Sequence, residues 1–178
     1  MKVSGIIDFF SYAGRLKRLK RTGWILKGVP QPESVAEHTY RTALIAYSLA
    51  SLIGNVDKEK VLRIALIHDL AEGLIGDLPL EARRFAKLDE LAAFSEVPGL
   101  PQEYLEDFKE FQDRSTLEAK IVRAADKIEL LLQVIEYEQS LGTKLDEFWD
   151  NLDNRVDFNF HPIIKEFIEE LERRRRDA

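Results

Sequence analysis

Three histidines stand in the 178-residue chain, His38, His68 and His161. His38 and His68, together with Asp69 and Asp126, fall on segments that otherwise read as apolar core. From Ala43 to Ile53 the polar side chains are Ser48, Ser51 and the Tyr47 hydroxyl; from Val61 to Ala71 they are Arg63, His68 and Asp69. Asp126 sits in the run IVRAADKIELLLQVI. An ionised Asp in such surroundings is costly unless something compensates its charge. Two neutral imidazoles and two carboxylates supply four ligands and two negative charges, which one divalent cation cancels. Taken singly, each residue has an ordinary explanation. A core His is more often hydrogen-bonded than metallated, an Asp on a helix is usually a cap or a surface residue, and a His-Asp dipeptide is a weak signal. The ordered set is what points to a metal.

Adjacent residues leave a helix about 100° apart. His68 and Asp69 therefore meet one ion only near a helix end, and Gly73 and Gly76 mark where the chain leaves that helix. The elements that must position these residues read as helices throughout, because apolar residues recur at three and four positions and no segment alternates over strand length. The pattern predicts a first helix over about 4–21, a second from Ser34 to Gly54 and a third from Asp57 to about Ala71. After the loop GLIGDLP (73–79) comes a helical stretch to Val97, a break at Pro98–Pro101, and a helix over about 102–113. A long helix then runs to about Leu141, and two shorter helical segments, within about 144–177, are separated by a turn at Asn159–Pro162. Ser34 with Glu37, and Ser115 with Glu118, have the Ser-x-x-Glu spacing of capping boxes. The expected fold is an all-α bundle forming a single domain over 1–178.

Composition narrows the function. Net charge is −6 and the pI is near 5.2, which argues against a general nucleic-acid binder needing a basic excess. The tail ERRRR (172–176) reads as helix C-terminal arginines complementing the dipole, offset by Glu169, Glu170 and Glu172. Cys is absent, which removes disulfides, Cys-based zinc sites and thiol nucleophiles. No apolar run approaches the ~20 residues that span a bilayer, and the N-terminus lacks a signal-peptide layout. A cytoplasmic protein with no nucleic-acid or membrane partner is expected.

Four blocks extend the pattern: RLKRTGW (18–24), PESVAEHTYRTALIA (32–46), LIHDLAEGLIGDLP (66–79) and STLEAKIVRAADKIELLLQVIEYE (115–138). In order and spacing they resemble the HD-domain metal-dependent phosphohydrolases, and within them the YfbR-type 5′-deoxynucleotidases, over roughly residues 6–140. The resemblance implies an HD-domain helical bundle, metal ligands at His38, His68, Asp69 and Asp126, and catalytic roles for Glu72 and Asp77. Glu72 lies four residues after His68 and shares its face if the helix persists that far. Asp77 sits in a Gly-flanked loop whose backbone can approach a phosphate. Trp24 matches an aromatic that lies against the sugar in the resembling proteins; its plain alternative is a core ring. Where some of those enzymes have Arg directly before that Trp, this chain has Gly23. Arg18 or Arg21 is then the candidate for phosphate, against the ordinary reading of both as solvated helix residues.

Dinuclear relatives need further His ligands, and His161 lies far off, before Pro162. One divalent ion is expected, with two octahedral positions open for water and a phosphate oxygen. The ligand set suits Mn²⁺, Co²⁺, Fe²⁺, Ni²⁺ or Zn²⁺. The implied reaction is hydrolysis of deoxyribonucleoside 5′-monophosphates, with Glu72 orienting or deprotonating the nucleophile or protonating the leaving oxygen, and Asp77 acting near the phosphate. Members resembling the chain are commonly homodimers. Two alternatives stand beside this: an HD-type nucleoside triphosphate or pyrophosphate hydrolase, against which no dense basic cluster accompanies the motifs, and a non-catalytic helical module with a structural metal.

Overall fold

The computed structural model describes residues 2–83, 85–86 and 88–177. The helices are α1 (Val3–Ala13), α2 (Thr22–Leu26), α3 (Val35–Ile53), α4 (Lys58–Ile67), α5 (Glu72–Ile75), α6 (Leu80–Arg83), α7 (Glu90–Ser95), α8 (Gln102–Asp113), α9 (Leu117–Leu141), α10 (Asp146–Trp149) and α11 (Pro162–Asp177). Among the described residues there is no strand, only an isolated antiparallel bridge between Lys20 and Ser34. The fold is all-α. No described helix is long and apolar enough to cross a membrane.

The framework is α3 laid along α9, with α4 against both, α8 closing over α4 and α9, and α11 against α9. Leu49 on α3, Ile64 on α4 and Ile121, Ile128 and Leu131 on α9 have almost no exposed surface. Phe94 and Phe108 stack with ring centroids 4.0 Å apart and tie α7 to α8. Each such buried side chain contributes roughly 1.5–3 kcal/mol through removal from water, so the helices that carry the site residues are the best anchored.

Several boundaries depart from the sequence expectation. The first helix stops at Ala13 and is followed by a 3₁₀ turn over Gly14–Lys17. The backbone of the next segment turns to another partner: Arg21 N–H donates to Glu33 C=O at 3.0 Å, and Val35 N–H donates to Leu19 C=O at 2.9 Å. Backbone groups paired across the chain in this way cannot also build a helix. The third helix ends at Ile67; residues 68–71 form a turn before α5. The stretch up to Val97 is broken into α6 and α7, and residues 84 and 87 within it lie outside the described residues. The second capping box is not formed. Thr116, not Ser115, caps α9 by accepting the Ala119 N–H at 3.3 Å, while Glu118 accepts the Asp57 N–H at 3.0 Å.

Candidate metal centre and cleft

The first capping box is present and sets the site's first member. Ser34 Oγ accepts the Glu37 N–H at 3.2 Å, and Glu37 Oε2 accepts the Ser34 N–H at 2.6 Å. One turn in, His38 is fully buried. Its Nε2 lies 3.2 Å from Asp126 Oδ1 on α9 and 3.6 Å from Asp69 Oδ2. Its Nδ1 lies 2.5 Å from Glu129 Oε2.

His68 and Asp69 occupy the turn after α4, where the chain leaves the helix as their adjacency requires. His68 Nδ1 donates to Ala65 C=O at 2.7 Å, which directs Nε2 into the site. Gly73 holds this turn against α1. A Cβ there would stand 3.0 Å from the Tyr12 ring, whose hydroxyl donates to Leu70 C=O at 3.1 Å.

His38, His68 and Asp69 each offer a ligand atom within 4.8 Å of the others. Asp126 stands just outside this set and touches it through His38. The donor atoms fit a cation. His68 Nε2 and Asp69 Oδ2 are buried, face each other at 3.2 Å and have no hydrogen-bond partner. Orphaned buried polar atoms are rare because each costs its full desolvation. The electrostatics agree. Burial and Arg21 act against a charged His38, yet the Glu129 and Asp126 carboxylates outweigh them and push it up to about 10. Burial also opposes ionised Asp69 and Asp126. The His68 ring for the first, and Lys127 and His38 for the second, hold both below the usual carboxylate range. The polypeptide thus favours positive charge where the four side chains approach one another.

Glu72 opens α5, 6% exposed, with Oε2 buried and unpartnered. Burial first, then Asp69 and Asp77, push its carboxyl well above the ordinary range, against the pull of Arg21 and Arg83. The helix does not persist from His68 to Glu72, but the turn still delivers Glu72 to the cleft. Asp77 follows Gly76, whose φ of 82° makes the bend. Its Oδ2 accepts the Thr22 N–H at the start of α2, and its Oδ1 is 3.6 Å from Arg21 Nη1. The Asp77 side chain therefore braces α2.

Arg21 lines the cleft, with Nη1 also 3.6 Å from Asp69 Oδ2. Arg18 is exposed and is not among the lining residues. Trp24 lines the cleft with almost all of its surface buried, packed on Phe148 and Tyr137. Its indole N–H donates to Glu33 Oε1 at 3.0 Å. A Cβ at Gly23 would meet the Phe148 ring at 3.4 Å. His161 is elsewhere, accepting the Ile163 N–H at 3.2 Å at the start of α11.

The cleft encloses about 590 Å³. Besides Arg21 its walls carry Lys27, Arg83, Arg114, Arg123 and Lys127, matched by the carboxylates of Asp69, Glu72, Asp77, Glu90, Asp126, Glu147 and Asp153, so cations line the cleft without an excess of basic charge. Arg123 and Lys127 were findable, since with Asp126 and Leu130 they repeat at three and four residues and share one face of α9. Lys27, Arg83 and Arg114 come from separate elements, and no local spacing announces them. Within the tail, Arg173 and Arg174 pair with Glu170, and Arg175 with Glu138 and Asp146.

A family model described as HD domain matches residues 13–165. The chain is 32% identical over 182 residues to the 5′-deoxynucleotidase HDDC2 of Mus musculus, covering 97% of this chain and 89% of that one. It is 35% identical over 193 residues to the protein of the same name from Dictyostelium discoideum, covering 98% of this chain and 100% of that one. A solved structure of a conserved hypothetical protein from Pyrococcus furiosus superposes with a TM-score of 0.85 at 42% identity, over 94% of this chain and 99% of that one.

Proposed function

The chain belongs to the HD domain family, and from that premise we propose that it hydrolyses deoxyribonucleoside 5′-monophosphates to deoxynucleoside and phosphate, as a metal-dependent phosphomonoesterase. The observation that carries this is the pair of buried atoms His68 Nε2 and Asp69 Oδ2, neither with a hydrogen-bond partner, facing each other beside an acid at Glu72. The names of the Mus musculus and Dictyostelium discoideum relatives support the same substrate class.

His38, His68, Asp69 and Asp126 would hold one divalent ion, Mn²⁺, Co²⁺, Fe²⁺, Ni²⁺ or Zn²⁺ by donor type. When bound, it supplies Lewis-acid polarisation of the phosphoryl group and neutralises developing charge. The remaining chemistry belongs to the chain. Arg21 and Lys127 flank the ligand carboxylates and bind the phosphate. Glu72, whose carboxyl burial and its acidic neighbours raise above the ordinary range, is the group to give a proton to the leaving 5′-oxygen as water adds to phosphorus and the P–O bond breaks, the proton released by that water returning to the carboxylate. Asp77 keeps Arg21 and the start of α2 in place, and Trp24 sets the wall against which the sugar rests.

A screen of metal-free protein against divalent ions and matched ribo- and deoxyribonucleoside monophosphates tests the reading. Phosphate should appear only with added ion and faster from the deoxy series. No release with any ion rejects it. Product analysis after incubation with dAMP and dATP separates this reading from hydrolysis of nucleoside triphosphates. We read the whole chain as one HD domain, cytoplasmic like its nucleotide substrates, and paired with a second copy of itself.

A further inference from the structure

The geometry points to Glu129 as a positioning residue of the metal centre, acting through His38 and itself held by Arg41; this rests on the metal-site reading above. Asp126 and Glu129 are three residues apart on α9, and His38 and Arg41 are three apart on α3. Residues so spaced share a helix face, so the two pairs confront each other across the main helix–helix seam. One rung is His38 Nε2 to Asp126 Oδ1 at 3.2 Å. The next is Arg41 to Glu129 Oε1, with Nε at 2.9 Å and Nη2 at 2.8 Å. A diagonal joins His38 Nδ1 to Glu129 Oε2 at 2.5 Å.

Glu129 is 0% exposed. A buried carboxylate without partners is strongly unfavourable, and here both oxygens are used, one by an imidazole and one by a guanidinium. Glu129 meets the ring nitrogen opposite the one that faces Asp69 and Asp126. It is therefore not a further ligand of the ion those residues would share. Its chemical effect is on the imidazole. Accepting the Nδ1 proton fixes which tautomer His38 adopts, stops the ring from turning over, and makes Nε2 a stronger donor. Arg41 pairs with Glu129 and is anchored in turn by Gln133 Oε1 at 2.6 Å and Glu136 Oε1 at 2.7 Å. A polar ladder thus runs from the buried centre to the surface along the seam.

The test is Co²⁺ titration of metal-free wild type, Glu129→Ala, Glu129→Gln and Arg41→Met, reading stoichiometry, affinity and the visible absorption of the bound ion, with the melting temperature of each metal-free protein alongside. Glu129→Ala should weaken Co²⁺ binding by ~10–100-fold and alter the absorption bands. Glu129→Gln still accepts the Nδ1 proton without the charge, so it should restore the bands while affinity stays below wild type. Arg41→Met should fall between the two. Wild-type affinity and bands in Glu129→Ala, or in both Glu129→Gln and Arg41→Met should Glu129→Ala not fold, overturn the proposal. So does a loss of melting temperature with unchanged affinity of the folded protein. Wild type that binds no Co²⁺ overturns the metal-site reading as well, which separates the two failures.

Discussion

Burial raises the Glu72 carboxyl above the ordinary range, and the proton-donor role proposed for it is testable apart from metal binding. Glu72→Ala should lower turnover by about 10²-fold or more while the metal content measured on the purified protein stays at the wild-type level. Asp69→Ala should lose both, since Asp69 is a ligand candidate; full metal content in that variant removes it from the set. Glu33, which accepts the Trp24 indole N–H and stands with His38 and Glu129, offers a pH experiment on stability. Burial first, and the Glu129 charge second, push its carboxyl from 4.5 up to about 7. Between those values the folded chain keeps a proton that the unfolded chain has released, so stability falls as pH rises through this window. Its contribution is complete below pH 4.5 and gone above about 7. Denaturant melts of metal-free wild type and Glu33→Gln from pH 5 to pH 8, a range chosen to cross the window, should show the variant gaining relative to wild type. Parallel curves across the range exclude that origin.

Among the elements, α3 depends on its cap more than on the polarity of its ends. Ser34→Ala removes one side of the box and should cost about 1 kcal/mol in chemical denaturation; a change below a few tenths means the Glu37 carboxylate holds the turn alone. Elements of this kind were the legible ones. The apolar period of α3, α8 and α9 and the Ser34 box are local signals, and the structure reproduces them. That His38, His68 and Asp69 come together, with Asp126 beside His38, was legible for a related reason: polar residues in apolar helices stand out. Legibility failed where a distant partner decides. Residues 19–21 carry helix-compatible side chains, yet their backbone pairs with residues 33–35, and that pairing is what brings Arg21 and Trp24 to the cleft. Ser115 lost the cap to Thr116, whose hydroxyl is also held by Glu110 Oε2 at 2.9 Å, a contact made through the preceding helix. Glu129 reads as one acid beside three leucines, and its meaning comes only from the opposite helix.

At the scale of the whole molecule, α3 has two kinds of surface. Its inner face carries His38 into the core; its outer face leaves Tyr40, Leu44 and Tyr47 exposed by 67%, 53% and 47%. On neighbouring α4, Leu62 and Leu66 are exposed as well. Apolar side chains at near-helical spacing on one long helix make a stripe, and a stripe is self-complementary when two copies meet about a twofold axis. The net charge of −6 on each copy opposes association, so apolar burial must supply the attraction. Leu44→Glu places a carboxylate in the middle of the stripe and, by symmetry, near its own image. Light scattering behind size exclusion should give twice 20.5 kDa for wild type and the single-chain mass for the variant. The melting temperature at low concentration should hardly change, because Leu44 is outside the core. His38 lies on the opposite face, so Co²⁺ affinity should be retained. A wild type that runs at the single-chain mass at every concentration removes the second copy and leaves the stripe as bare surface.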